Sequence, residues 1–239
     1  MQRRIKQFAI IAAGEGRRLS EEGVAWPKAL VPLNGEPLLS RLVRIFNACG
    51  AECIVIIVND LHPQAEQYVR QLMAQPGGER IHLVVQTTPS SMHSFFALSS
   101  HLADEPFCLT TVDTIFRESD FRAYLDYFAQ SDADGVMGVT DFVDDEKPLY
   151  VATNESLDIT AFLDDSATCK YISGGIYGLT APALKTLQRC MAEGQSRMRN
   201  YQRGLIADGL RLKAFPFSKI LDVDHASDIQ KALDFLKDN

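Results

Sequence analysis

The sequence predicts an α/β fold: a single doubly wound, mostly parallel mixed sheet with helices on both faces. Three observations carry this expectation. Short apolar runs bounded by Gly, Pro or Asp recur at 8–13, 52–58, 82–86, 107–112 and 135–140, the length and character of strands buried on both sides. Stretches of helical periodicity lie between several of them, at 38–49, 62–73, 94–102 and 119–129, and in the first Leu39, Leu42, Val43 and Phe46 share one face. The chain has 239 residues, enough for one substantial core, and no repeat, low-complexity tract or linker divides it, so one domain over 1–239 is expected. Strand then helix, repeated, is the rhythm of a parallel sheet covered on both sides.

Beyond residue 140 the rhythm shifts. Segments 148–153, 158–163 and 173–179 read as shorter strands joined by polar stretches such as 144–147, which predicts a mixed or antiparallel edge. Helices resume at 181–193 and 198–208. A strand follows at 210–215, and a closing helix covers 227–236 with Ser227 as its N-cap.

Composition narrows the choice of partner. Hydrophobic residues at 46% supply enough apolar surface to form a core, which excludes a disordered chain. A formal charge of -7 argues against nucleic acid or an anionic membrane, both of which call for surplus Lys and Arg. Small molecules are the expected partners, with self-association left open. No apolar run approaches the ~20 residues that span a bilayer, and Met1-Gln2-Arg3-Arg4 enters the first strand without the apolar stretch of a signal peptide; the expected compartment is the cytoplasm. Cys49, Cys53, Cys108, Cys169 and Cys190 read as buried thiols, because the second pair that a structural zinc site would need beside Cys49 and Cys53 is missing.

Chemistry enters directly after the first strand. Gly14 and Gly16 allow a backbone turn to approach an anion closely with its N–H groups inward. Arg17, Arg18 and Lys28 gather cations near the same turn, and Pro27 fixes the backbone just before Lys28. Two other phosphate loops fail on spacing: Leu19 stands where the dinucleotide fingerprint needs its third glycine, and no Gly-Lys-Ser/Thr completes a P-loop.

A first strand followed by Ala12-Ala13-Gly14-x-Gly16-x-Arg18-Leu19 and then Pro27-Lys28 resembles the nucleotidyltransferases that activate sugar phosphates and related alcohol phosphates. The resemblance implies that Gly14 and Gly16, with Ala12 and Ala13 before them, cradle a nucleoside triphosphate. It also implies that Arg18 and Lys28 hold the β- and γ-phosphates or the departing pyrophosphate. Arg17 departs from the Ser or Thr that most members carry. The implied reaction moves a nucleoside monophosphate onto a phosphorylated sugar or alcohol, giving an NDP-sugar-type product and pyrophosphate, with Mg2+ as cofactor.

Two anions must meet in that reaction, so charge neutralisation is the main demand on the site, and a metal would need carboxylates. Asp113 ends an apolar strand, at the sheet end where ligands of open α/β folds gather; the surrounding LTTVDTIF resembles the family's metal-binding strand end, with Val112 in place of its Gly. Near the C-terminus ILDVDHASDIQKALDFL resembles the family's closing acidic motif, which makes Asp222 or Asp224 the second metal ligand. The two are spaced to share one side of a strand, and Asp224 is slightly favoured. Asp228, in the first turn of the closing helix, suits the helix dipole.

Gln86 closes the third strand where family members often use a Gln against the nucleobase, but the Gly-rich turn expected next is replaced by Thr87-Thr88-Pro89-Ser90-Ser91-Met92-His93-Ser94. KYISGGIYGL resembles the stretch that approaches the second substrate, so Gly174 and Gly175 are expected to border it. Asp165 stands where a phosphate-binding Lys is usual, and Lys170, Arg197 and Arg199 are the cations that could replace it. Two rivals remain: a non-catalytic nucleotide-sugar sensor of the same fold, suggested by Val112 and Asp165, and a nicotinamide-dependent oxidoreductase, which Leu19 disfavours.

Overall fold

The structure is a computed structural model and describes residues 3–144, 146–165 and 168–237; Met1 and Gln2 of the leading segment lie outside the described residues. Thirteen strands are present among them: β1 (Gln7–Ala12), β2 (Pro32–Leu33), β3 (Glu36–Pro37), β4 (Cys53–Val58), β5 (Ile81–Val85), β6 (Phe107–Thr111), β7 (Thr114–Ile115), β8 (Gly135–Thr140), β9 (Tyr150–Thr153), β10 (Ile159–Leu163), β11 (Tyr171–Leu179), β12 (Leu212–Pro216) and β13 (Leu221–Asp222). The helices are α1 (Arg17–Glu21), α2 (Leu38–Ala48), α3 (Pro63–Met73), α4 (Ser91–Ser99), α5 (Glu118–Gln130), α6 (Pro182–Ala192), α7 (Met198–Ala207) and α8 (Ala226–Lys237).

One nine-stranded sheet organises the fold. Along its main path the order is β10-β9-β11-β6-β1-β4-β5, with β8 against β11 and β12 outside β8. Strands β6, β1, β4 and β5 run parallel. The long strand β11 reverses direction, running antiparallel to β8 on one side and to β9 and then β6 on the other. The mixed edge expected beyond residue 140 is therefore present, although β12 returns parallel to β8.

Alternation along the central strands divides the core. Phe8, Ile10 and Ala12 of β1 with Ile54, Ile56 and Val58 of β4 face α2, α3, α5 and α8. Ala9 and Ile11 with Val55 and Ile57 face α4, α6 and α7. Near-continuous apolar sequence follows from burial on both sides. On the first face Phe46 of α2 stacks on Phe8 at 4.4 Å and lies 5.6 Å from Phe121 of α5, fixing two helices on one strand.

Several local expectations are corrected. Helix α4 begins at Ser91 rather than 94, because Ser90 is extended and its hydroxyl accepts the His93 N–H as an N-cap. Ser227 lies inside α8 instead of capping it: the Asp228 carboxylate accepts from the N–H groups of Asp224 and His225 at 3.1 and 2.8 Å. Helix α1 is not among the expected helices, being only five residues with a single buried apolar side chain, Leu19. Of the cysteines only Cys108 and Cys190 are buried; Cys49, Cys53 and Cys169 are partly exposed.

The aromatic contact makes a prediction. Phe46→Ala removes a fully buried ring and should cost about 3–5 kcal/mol, read as a lower midpoint in chemical denaturation. A loss under about 1 kcal/mol would mean the helices re-pack freely around the gap.

Candidate active site

The carboxyl ends of the parallel strands build the site. The turn after β1, residues 13–16, lies over the end of the sheet, and two features hold it. Gly16 adopts φ 65°, a left-handed conformation that disfavours side chains, and a Cβ there would lie 2.9 Å from Cβ of Lys28. Glycine thus brings the turn against the residue that follows Pro27, where a single 3₁₀ turn over Lys28–Leu30 starts. At Gly14 no atom beyond its own chain neighbours lies within 4 Å of where a Cβ would be, so the backbone is open to close approach by a ligand.

Lys28 is the centre of the cluster. Its ammonium pairs with the Asp113 carboxylate and with Oδ1 of Asp224 at 2.6 Å, while Arg18 reaches Oδ2 of Asp224 at 3.1 Å. The side chains of Lys28 and Asp113 are only 12% and 17% exposed. Burial alone would lower the pKa of Lys28, but Asp113 and Asp224 outweigh it and raise the value. Burial likewise pushes the Asp113 carboxyl up, and Lys28 together with a hydrogen bond from Thr111 holds it below the ordinary range.

A two-residue ladder delivers the distant acids. Strand β13 pairs antiparallel with β7, Asp222 opposite Thr114, and the Val223 N–H donates to the Asp113 carbonyl at 3.1 Å. Strand β13 stops at Asp222, so the strand alternation does not extend to Asp224, and the two carboxylates take different partners although both border one depression of about 160 Å³. Asp222 accepts from the Thr114 hydroxyl at 3.3 Å, whereas Asp224 joins Lys28 and Arg18. Among the described residues no group of three or more His, Cys, Asp or Glu is gathered as a metal cage.

Around the cluster lie three depressions. The first, of about 480 Å³, is lined by Ala13, Gly14, Gly16, Lys28, Asp113 and Asp224 among others, with Arg17 and Arg18 at its wall. A second of about 330 Å³ adjoins it across Asp113 and is bordered by Ser173, Gly175, Lys147, Arg197 and Asp222. The third, about 160 Å³, includes Gly174, Arg18 and Asp224. Gly174 and Gly175 thus face different spaces. Gly175, at φ 73°, sits in the β11 bulge, and a Cβ on Gly174 would strike Ile220 Cδ1 at 2.2 Å.

Not every expected residue converges. Ala12 packs in the core beneath the turn. Arg17 borders the 480 Å³ cavity, but its guanidinium is paired with Glu15 and largely exposed. Gln86 is exposed just past β5, its N–H bonded to the Val58 carbonyl, and does not line the 480 Å³ cavity, whose wall there comes from Thr88, Pro89, Ser90 and Ser91. Sequence reading missed Asn59, which is buried behind the glycine turn and bonded to its carbonyls. The available signal was a lone Asn closing the otherwise apolar run IVIIV.

A family description for the MobA-like NTP transferase domain matches residues 8–174. The chain belongs to that family. It is thereby a member of the nucleotidyltransferases, as the Gly14–Gly16 turn and Pro27-Lys28 indicated. Among curated proteins it is 28% identical over 159 residues to the CMP-5'-(3-aminopropyl)phosphonate synthase of Streptomyces rubellomurinus, a match covering 58% of this chain and 24% of that protein. The chain therefore corresponds to about a quarter of that relative. Solved structures share the family's fold. The inositol-1-phosphate CTP transferase from T. maritima superposes with a TM-score of 0.82 at 19% identity, covering 100% of this chain and 99% of that one. A putative glucose-1-phosphate thymidylyltransferase from Bacillus anthracis gives 0.83 at 19% identity over 98% and 96%. Among the described residues no helix is long and apolar enough to cross a membrane.

The cluster has a defined pH dependence. Asp113, depressed, contributes stability that is complete above the ordinary carboxylate range and lost as pH falls through its lowered value. Lys28, raised, contributes below its ordinary 10.5 and loses that contribution only at higher pH. From roughly pH 5 to 9 the pair stays charged. Lys28→Met leaves burial unopposed by the ammonium, so the Asp113 carboxyl should titrate above about pH 4 in a carbon-detected NMR titration, against below it in the parent. An unchanged midpoint would show that Lys28 is not its counter-ion.

Proposed function

We propose that this chain transfers a nucleoside monophosphate from a nucleoside triphosphate to a small substrate bearing a phosphate or phosphonate, releasing pyrophosphate. The observation that carries the reading is Lys28, held by Asp113 and Asp224 at the wall of a cavity whose other wall is the glycine turn. Family membership supplies the reaction class. In the proposed step an acceptor oxygen bonds to the α-phosphorus as the bond to the α–β bridging oxygen breaks, and that oxygen leaves with pyrophosphate. Lys28 and Arg18 are placed to neutralise the phosphates, and the turn's N–H groups to orient them, which is the catalysis this reaction needs.

The carboxylates fit a magnesium ion. Mg2+ takes oxygen donors and is commonly held by one or two carboxylates plus substrate phosphates rather than by a full protein cage. Asp113 and Asp224 already reach a common point at Lys28 Nζ, so they are the proposed pair, with Asp222 on the neighbouring side. Bound there, the ion would neutralise charge on the phosphates.

For the acceptor we favour the cavity of about 330 Å³. Asp165 stands where the family's phosphate-binding Lys is expected, so another cation is needed. Arg199 is engaged by Asp164 at 2.5 Å and by the Lys147 carbonyl. Arg197 also lines the cavity and, among the described residues, has no ion-pair or side-chain hydrogen-bond partner within the chain. It is the proposed contact for the acceptor's phosphorus group.

A pyrophosphate-release screen tests the reading: CTP, ATP, GTP, UTP and dTTP against sugar phosphates, alcohol phosphates and aminoalkylphosphonates with Mg2+. CTP and the phosphonates head the panel because the curated relative is named for a CMP-phosphonate product. Nucleotide binding without release from any pair would favour a sensor instead. With an active pair, Lys28→Ala should cut turnover about 10²–10³-fold while far-UV circular dichroism is unchanged. Arg197→Met should raise KM for the acceptor about tenfold or more and leave KM for the nucleotide within about twofold; an equal rise in both would move the acceptor elsewhere.

A further inference from the structure

We infer that Asn59, a residue outside the cavity, is a positioning residue that sets the direction in which the glycine turn presents its N–H groups. Asn59 is 2% exposed and follows β4 directly. Its Nδ2 donates to the carbonyls of Ala13 at 3.1 Å and Gly14 at 3.3 Å. Its Oδ1 accepts from the N–H groups of Leu61 and His62, each at 3.1 Å. Both ends of the amide are thus in use, one on the turn and one on the approach to α3.

The consequence follows from peptide geometry. In a planar trans peptide the C=O of one residue and the N–H of the next point in opposite directions, and no peptide bond among the described residues is cis. With the Ala13 and Gly14 carbonyls drawn toward Asn59, the N–H groups of Gly14 and Glu15 are turned away from it. Both residues line the 480 Å³ cavity and Asn59 does not, so the turn separates the amide from the cavity. Among the described residues neither N–H donates to another group of the chain. Two unpaired donors side by side form an anion-binding concavity.

A lock is needed there because Gly14 gives its flanking peptide planes freedom to rotate. A rotated plane would aim a carbonyl oxygen at the anion in place of an N–H. Asn59 opposes that rotation from a rigid strand end. It needs no contact with ligand to do so, and its action would hold for any polyphosphate the turn receives. The inference rests on the reaction proposed above only in taking the ligand to be a phosphate chain.

Asn59→Asp separates the two halves of the side chain. It is nearly isosteric and keeps an oxygen for the Leu61 and His62 N–H groups, so the start of α3 is retained. It removes the donors to Ala13 and Gly14 and sets a carboxylate against two carbonyl oxygens. The test is titration with inorganic pyrophosphate, followed by calorimetry and by 15N-resolved amide shifts. In the parent the Gly14 and Glu15 amides should shift strongly; in Asn59→Asp, at a temperature where far-UV circular dichroism shows it folded, those shifts should vanish and affinity should fall about 10–100-fold. Affinity within twofold of the parent would overturn the inference. If Asn59→Asp fails to fold, Asn59→Ala is titrated in its place, and affinity within twofold of the parent again overturns the inference; silent Gly14 and Glu15 amides in the parent overturn it independently. Silent amides with responsive Arg18 and Lys28 side chains leave the proposed reaction standing; no pyrophosphate or nucleotide binding at all removes both.

Discussion

An ammonium from near the start of the chain, held by one carboxylate from its middle and one from near its end, is the constraint on which the rest of the site depends. Lys28 lies early in the sequence and Asp224 near its end, yet the two meet at 2.6 Å with Asp113 on the other side. Such a cluster is poor stabilising material. Removing charges from water costs several kcal/mol per ion, and their mutual attraction only roughly offsets it. Apolar residues of similar size would serve a core at least as well. The arrangement makes physical sense under the proposed reaction, in which arriving phosphates would take over the ammonium and the carboxylates would turn to a cation.

The fold is arranged to bring those three side chains together. Parallel strands β1 and β6 are neighbours and end at the same side of the sheet, which places the glycine turn beside Asp113. The C-terminal segment has no place in the main sheet, so it is attached by β13 against β7 and by the Val223 to Asp113 hydrogen bond. Helix α8 is then anchored through Asp228, whose carboxylate fixes the backbone of Asp224 itself. The residue that holds Lys28 is thus positioned by a ladder before it and a reverse cap after it.

These relations explain what could be read in the sequence and what could not. The buried strands were legible because burial on both faces leaves an unbroken apolar run, and the helices because their stripes follow the 3.6 period. Lys28, Asp113 and Asp224 were legible because the stretches that carry them resemble motifs of the nucleotidyltransferases: the Pro-Lys after the glycine turn, the acid that ends an apolar strand, and the closing acidic segment. The split between Asp222 and Asp224 was not, since it depends on where a two-residue strand stops, a matter of pairing with β7 and not of local pattern. Asn59 escaped for a related reason: its role lies in hydrogen bonds to residues 45 and 46 positions away, which no local period records. Helix α1 gave no sign because five residues with a single apolar member, Leu19, carry neither stripe nor side-chain cap.

The acidic balance of the chain sharpens the electrostatic argument. A molecule of formal charge -7 repels polyphosphates at long range, with screening confining the effect to about 8–10 Å at physiological salt. Recognition must then come from cations concentrated at short range. Here they are placed in two groups on either side of Asp113, Arg18 and Lys28 toward the glycine turn and Arg197 with Lys147 toward β11. Under the proposed reaction, that separation would keep two anionic ligands from competing for one positive site, with Asp113, common to both cavities, between them. A carboxylate at that junction repels both phosphates unless something positive covers it, and in this structure the cover is Lys28.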